Sequence, residues 1–147
     1  MSIPNMAPGR IDGARHVTTE YSEDQCWDLL RSHTTGRFGF VRDGRVMILP
    51  VNYLVHNKAI YFRTSPDGII SDAVPHQQSS FQVDDARPAR SEGWSVLASG
   101  PSSRVMEPEL LTDLWGQIMP EPWGGGARNL FIRIDVATLT GRGVHLG

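Results

Sequence analysis

The sequence has little of the chemistry that stabilises a fold covalently or holds a metal. Cys26 is the single cysteine, so the chain can form no disulfide within itself. The five histidines are scattered along the chain, at His16, His33, His56, His76 and His145. No pair of them has ligand spacing, and neither HExxH nor CxxC occurs. The sequence therefore predicts no metal site, and it leaves haem open because one axial histidine suffices for haem.

Lysine and long apolar runs are also nearly absent. Lys58 is the only lysine, and the net charge is −2. Because nucleic acids and anionic membrane surfaces are bound through basic faces, we expect neither as a partner. No stretch approaches the ~20 apolar residues of a membrane span. Residues 1–16 contain Pro and Gly where a signal peptide has an apolar run, so we expect a cytoplasmic protein.

The motifs of nucleophilic and phosphate-loop catalysis are missing too. GxSxG, Rossmann and Walker patterns do not occur, and the glycine-rich residues 123–126 do not follow a predicted strand and open a helix. Cys26 lies on the buried side of a predicted helix, which is typical of a small core residue. Asp84 and Asp85 follow a predicted strand, which favours a solvated strand end over a carboxylate pair. We therefore name no catalytic residue.

The remaining pattern predicts one domain, residues 19–147, behind a flexible N-terminal arm, residues 1–18. Ser22 and Gln25 have capping-box spacing and predict a helix over residues 23–33. Two more helices are predicted at 69–74 and 109–118, the second with Leu110, Leu111, Leu114 and Trp115 on its buried side. Strands are predicted at 37–41, 45–55, 59–63, 80–84, 93–105, 129–136 and 138–144. Residues 119–127 are predicted to be a loop that shapes a site.

Most of these strands follow one another through short turns, which indicates an antiparallel sheet. Six or seven strands in a chain of this size are expected to curl into a small barrel. Two or three short helices would cover the barrel ends. The sequence therefore predicts a mainly β fold, a six- to seven-stranded antiparallel barrel of Greek-key type.

The candidate site lies in the stretch from Gly36 to Ser65. Pro50 cannot donate a ladder hydrogen bond, so it indicates a bend or bulge, a feature common beside binding sites. The Pro50-Val51-Asn52-Tyr53 strand can offer apolar surface and amide hydrogen bonds to a flat heterocycle.

Arg63, Thr64 and Ser65 end the next strand with a guanidinium and two hydroxyls, groups that suit a phosphate. The alternative is an ordinary strand end in which Arg63 pairs with a surface carboxylate. Trp94, which follows a glycine, is either a core aromatic or one wall of a pocket.

The blocks RFGFV, DGR, ILPVNY, IYFRTS, SFQVDD, GWSVLASG and FIRIDVATLTGR, in this order, resemble the pyridoxamine phosphate oxidase-like family of split β-barrel flavoproteins. The resemblance runs from about Ser22 to Gly143. It implies a homodimer with FMN or a deazaflavin in a groove between the subunits. The ring would lie along Leu49, Pro50, Val51 and Asn52, and the phosphate at Arg63, Thr64 and Ser65. Trp94 matches a position that often comes from the partner subunit.

The resemblance also implies an FMN- or deazaflavin-dependent oxidoreductase that transfers hydride to or from a small organic substrate. The alternative is a non-catalytic flavin- or haem-binding protein of the same fold. Relatives carry a lysine near the cofactor phosphate, and Ile69 stands there in this chain, with Asp67 close by. Loss of that cation would cost ~1–3 kcal/mol of binding free energy, which weakens the expected cofactor affinity.

Overall fold

Eight strands form one antiparallel sheet in a computed structural model that describes residues 15–117 and 130–146. In chain order β1 to β8 are His16–Glu20, Thr35–Arg42, Arg45–His56, Ala59–Thr64, His76–Arg87, Glu92–Arg104, Leu130–Ile134 and Thr138–Leu146. The helices α1, α2 and α3 are Glu23–Arg31, Ile69–Ala73 and Pro108–Trp115, and a short 3₁₀ turn spans Pro88–Arg90. No helix in these described ranges is both long and apolar enough to cross a bilayer.

The sheet closes into a barrel because β6 changes its partner halfway along its length. Gly93–Ser99 pair with Thr138–Val144 of β8, whereas Ser102–Arg104 pair with Ile132–Ile134 of β7. The strand order is β1-β8-β6-β5-β2-β3-β4-β7, and the β6–β7 pairing joins the last six strands into a ring. β8 and β1 extend the sheet outside this ring. The predicted mainly β fold with an antiparallel barrel and a few short helices is confirmed.

Two strands differ most from the sequence prediction. β1 pairs with β8 from His16 to Glu20, so residues 16–18 belong to a strand rather than to the predicted arm. β5 runs from His76 to Arg87, well beyond the predicted 80–84. Residues 1–14 and the predicted loop 119–127 lie outside the described residues.

The barrel interior is filled by alternate residues of the strands, with α1 covering one end. Phe38, Phe62 and Phe81 are fully buried there, and Cys26 and Leu30 of α1 pack against the same cluster. The predicted capping box is present, since Gln25 N donates to Ser22 Oγ at 3.2 Å and Ser22 N donates to Gln25 Oε1 at 2.8 Å. Cys26 is thus a core residue, and burial raises the pKa of its thiol. These contacts fix the barrel on which the site is built.

A second, smaller apolar cluster lies on the outer face of β4 and β7. Tyr61 and Phe131 are buried there beneath Leu114 of α3. Trp115, predicted on the buried side of this helix, is instead 49% exposed. Successive helical residues are about 100° apart around the axis, so Leu114 faces the cluster while Trp115 lies at its edge. That edge adjoins the candidate site.

A buried histidine makes the stability of the fold pH-dependent. His76 is 7% exposed and packs against Phe38 and Phe40. Burial lowers the pKa of His76 below its ordinary 6.5, and a hydrogen bond with the Ile70 backbone opposes the shift. The unfolded chain therefore takes up a proton at a higher pH than the folded one, so stability is lost as the pH falls from 6.5 towards the lower folded pKa.

We expect His76→Gln to lose less stability than the native chain when the pH is lowered through 6.5. The measurement is urea unfolding at pH values on either side of that window. His145→Gln, at an exposed position, is the control and should keep the native pH dependence. Equal slopes for the native chain and His76→Gln would show that His76 is not the responsible group.

Candidate functional site on β3 and β4

The predicted ring-binding strand presents its residues to two different faces. Val51 is buried in the core, so its side chain is not available to a ligand. Leu49 is half-buried against the core, and Pro50 is exposed opposite Arg37 of β2. Asn52 lies opposite Thr35, whose Oγ1 donates to Asn52 Oδ1 at 2.9 Å. The outer face of β3 therefore offers Pro50 and Asn52.

Arg63 shares that outer face. β3 and β4 pair with Tyr53 opposite Phe62, so the next step of the antiparallel register places Asn52 beside Arg63. Directly opposed residues of a sheet point to the same side. The two residues that the sequence assigns to the ring and to the phosphate are thus neighbours across two strands.

The guanidinium of Arg63 has no carboxylate beside it in the part of the chain that the structure describes. Its Cζ lies 5.1 Å from the centroid of the Trp115 ring. Its Nε is buried and has no hydrogen-bond partner. The surface ion pair that was the alternative for Arg63 is therefore not formed. A buried charged donor without an acceptor is costly, so this nitrogen suits an anion that is bound from outside the chain.

Thr64 and Ser65 belong to a tight turn that leads into α2. Ser71 Oγ donates to the Ser65 carbonyl oxygen and accepts from Gly68 N at 3.1 Å. Asp67 N donates to Ser65 Oγ at 3.3 Å. Thr64 is buried, and its Oγ1 would lie 3.9 Å from a Cβ placed on Gly68. The hydroxyls therefore lie at the turn, whereas Arg63 points to the outer face of the sheet.

The residue that stands where relatives carry a lysine, Ile69, is the first residue of α2. Ile69 is half-buried and packs against the barrel core. Two arginines from other strands reach this short helix: Arg104 Nη2 donates to the Ser71 carbonyl oxygen at 3.0 Å, and Arg42 Nη2 lies 3.6 Å from Asp72 Oδ2. Cations from β6 and β2 therefore reach α2, although none comes from position 69.

Trp94 lies in a different set of contacts. It is half-buried on β6 opposite Asp85, and its ring meets the His33 ring edge-on at 4.9 Å and 89°. His33 Nε2 lies 3.7 Å from Asp85 Oδ2. A cavity of about 420 Å³ opens beside Trp94 and Asp85 and is also lined by Tyr21. Among the described contacts, these residues share none with Arg63, so a single chain does not bring the two predicted parts of the site into contact.

Two residues beside the predicted site could not be found by sequence reasoning. The sequence pattern predicts Trp115 on the buried face of its helix, and His33 carries no motif. Both reach their partners through contacts between distant segments, which no local pattern reports. Among the described residues, no three His, Cys, Asp or Glu side chains lie close enough together to hold a metal ion.

The sequence and the fold of this chain are similar to those of known proteins. The family model for pyridoxamine 5'-phosphate oxidase matches residues 22–143. An uncharacterized protein of Mycobacterium tuberculosis is 32% identical over 145 residues, covering 92% of this chain and 93% of that protein. The structure of the FAD binding protein from Mycobacterium smegmatis is 28% identical, with a TM-score of 0.73 over 86% of this chain and 98% of that one. A FAD-binding protein from Mesorhizobium loti, 23% identical, has a TM-score of 0.68 over 86% of this chain and 98% of that one, and shows the shared fold.

Proposed function

The chain belongs to the pyridoxamine 5'-phosphate oxidase family, and from this premise we propose that it binds a flavin nucleotide on the outer face of β3 and β4. The observation that carries the proposal is Arg63, a cation whose buried Nε has no acceptor. Arg63 lies beside Asn52 and directly before the turn at which the Thr64 and Ser65 hydroxyls lie. The description of the Mycobacterium smegmatis relative as an FAD binding protein supports the same ligand class.

The residues of this face fit a flavin nucleotide. Asn52 and the backbone of Leu49, Pro50 and Val51 would hold the ring. Arg63 would hold the phosphate from the outer face of the sheet, since a guanidinium fork matches phosphate oxygens. The Ser65 hydroxyl would contact it from the adjoining turn, whereas Thr64, also predicted at the phosphate, is buried. Trp94 would reach the ring of a cofactor bound by the partner subunit, because its own contacts lie away from Arg63.

A bound flavin supplies hydride transfer, and the protein supplies binding, orientation and exclusion of water. We propose an oxidoreductase that acts on a small organic substrate, with FMN, FAD or a deazaflavin as the cofactor. The second candidate is a flavin-binding protein without turnover, and Ile69 favours it because the site lacks the lysine expected near the phosphate. Haem remains the other ligand of this second candidate.

The proposal is tested by titrating the purified protein separately with riboflavin, FMN, FAD and the deazaflavin coenzyme, followed by fluorescence quenching. We expect dissociation constants of about 1 μM or below for at least one nucleotide, since bound flavins of this kind are held by several charge-assisted contacts. Absence of binding by all four compounds would overturn the flavin proposal. Reduction of a bound flavin by added substrates then separates the enzyme from the carrier.

We further propose that the protein is a homodimer that closes this site. Three apolar side chains on the outer face of β2 and β3 are strongly exposed: Val41 at 56%, Val46 at 73% and Ile48 at 63%. Val41 is opposite Val46, and the stripe continues through Pro50 towards Asn52. Contiguous apolar surface of this kind marks an interaction site, and a shallow groove becomes a pocket when a second chain covers it.

Ile48→Glu is expected to raise the dimer dissociation constant about tenfold or more, because a carboxylate would be buried without a partner. The affinity for flavin should also fall, because the dimer is proposed to close the site. Sedimentation velocity over a concentration series measures the first effect and flavin titration the second. Met106→Glu, at a position that is 73% exposed and away from the stripe, is the control. Unchanged self-association of Ile48→Glu would exclude this face as the dimer interface.

A further inference from the structure

Trp115 is a large aromatic side chain that is exposed and also packs against the sheet. Trp115 is the last residue of α3 and is 49% exposed. The edge of its indole meets Phe131 at 5.0 Å and 80°, and Phe131 is buried. An exposed aromatic surface of this kind is suited to stacking with a flat ligand group.

This aromatic surface lies beside the cation of the proposed phosphate site. The Arg63 Cζ is 5.1 Å from the ring centroid, within the range of a cation–π contact. The same guanidinium has a buried Nε without an acceptor. A ligand whose phosphate is bound by Arg63 therefore passes next to the indole of Trp115. FMN ends at its phosphate, whereas FAD continues through a second phosphate to adenine.

We propose that Trp115 stacks on the adenine of a dinucleotide flavin and makes the site prefer FAD to FMN. This inference rests on the proposed function, since it needs the phosphates at Arg63. Nucleotide bases stack on aromatic side chains without sequence-specific contacts. Because the Arg63 guanidinium lies over one face of the Trp115 ring, adenine would stack on the opposite face. Trp115 also orients the Arg63 guanidinium, so it contributes to the binding of either nucleotide. Only the adenine contact makes the affinity for FAD differ from the affinity for FMN.

The test compares the affinities for riboflavin, FMN and FAD in the native chain and in Trp115→Leu, Trp115→Phe and Met106→Ala. We expect the native chain to bind FAD about tenfold more tightly than FMN, and Trp115→Leu to lose most of that ratio, as removal of one base–aromatic stack predicts. Trp115→Phe should retain most of the preference, because it keeps a ring. Met106→Ala should retain all of it.

Two outcomes distinguish this inference from the proposal on which it rests. If riboflavin, FMN and FAD all fail to bind, the flavin proposal itself is wrong. If FMN binds as tightly as FAD, or if the ratio is the same in Trp115→Leu, the flavin proposal stands and the role of Trp115 is excluded. Should Trp115→Leu fail to fold, ADP and inorganic pyrophosphate are each titrated against FAD in the native chain. Displacement of FAD at a clearly lower concentration of ADP than of pyrophosphate supports the adenine contact, and equal displacement by the two compounds contradicts it.

Discussion

Arg63→Gln is expected to lower the affinity for FMN and FAD about tenfold or more, the loss that follows from removing a hydrogen-bonded charge worth ~1.5–3 kcal/mol. The native Arg63 side chain is half-buried. Its Nε has no acceptor, and its guanidinium lies against the Trp115 ring. Glutamine keeps a polar group of similar reach but has neither the charge nor the fork. Riboflavin, which has no phosphate, should bind within about threefold of the native affinity.

Two controls show whether the effect belongs to the phosphate. Arg63→Lys restores the charge without the paired geometry and should recover part of the lost affinity. Arg37→Gln removes another arginine of the outer face, one that already donates to Gln82 Oε1 at 2.9 Å and Asp84 Oδ1 at 3.1 Å. We expect it to leave the nucleotide affinity unchanged. Unaltered FMN binding by Arg63→Gln would exclude the phosphate assignment, and equal losses for riboflavin would assign Arg63 to the fold.

The sequence predicted the elements whose patterns are local. The short turn predicted between the strands 37–41 and 45–55 is formed by Asp43 and Gly44, whose φ angles are 52° and 74°, as a tight hairpin requires. β1 was missed because all five of its residues are exposed, so the strand shows no alternation of apolar and polar residues. The first residues of β5 were missed because the polar run His76-Gln77-Gln78-Ser79 contains an irregularity in its pairing with β6. Local patterns therefore located most strands but did not fix their ends.

The candidate site was predictable in its residue types and only partly in its arrangement. The adjacency of Asn52 and Arg63 follows from two hairpins in sequence, so it could be expected. The surroundings of Arg63 could not, because Trp115 comes from a helix about fifty residues further along the chain, and no short pattern links distant segments. Trp94 could be assigned to neither the core nor a pocket for the same reason, since His33 and Asp85 meet it through tertiary packing.

Barrel closure depends on a glycine at the point where β6 changes its partner from β8 to β7. A Cβ on Gly100 would lie 1.8 Å from the Asp135 carbonyl oxygen and 3.0 Å from Ala137 N. That backbone is held in place, since Asp135 N donates to Pro101 O at 2.9 Å and Ala137 N donates to Ser99 O at 2.8 Å. Because the clash is with fixed backbone rather than with a movable side chain, a methyl group can be accommodated only by separating β6 from the β7–β8 connection.

Gly100→Ala is therefore expected to lower the free energy of unfolding by about 3 kcal/mol, at the upper end of overpacking effects. For a chain of this size the loss corresponds to a fall in Tm of roughly 6–12 °C, measurable by calorimetry. Gly39→Ala is the matched control, a strand glycine whose added Cβ would meet Ser80 O at an ordinary 3.7 Å. It should change Tm little. Similar Tm values for the two variants would mean that the β7–β8 connection can move to accept the added Cβ. Barrel closure would then not depend on glycine at position 100.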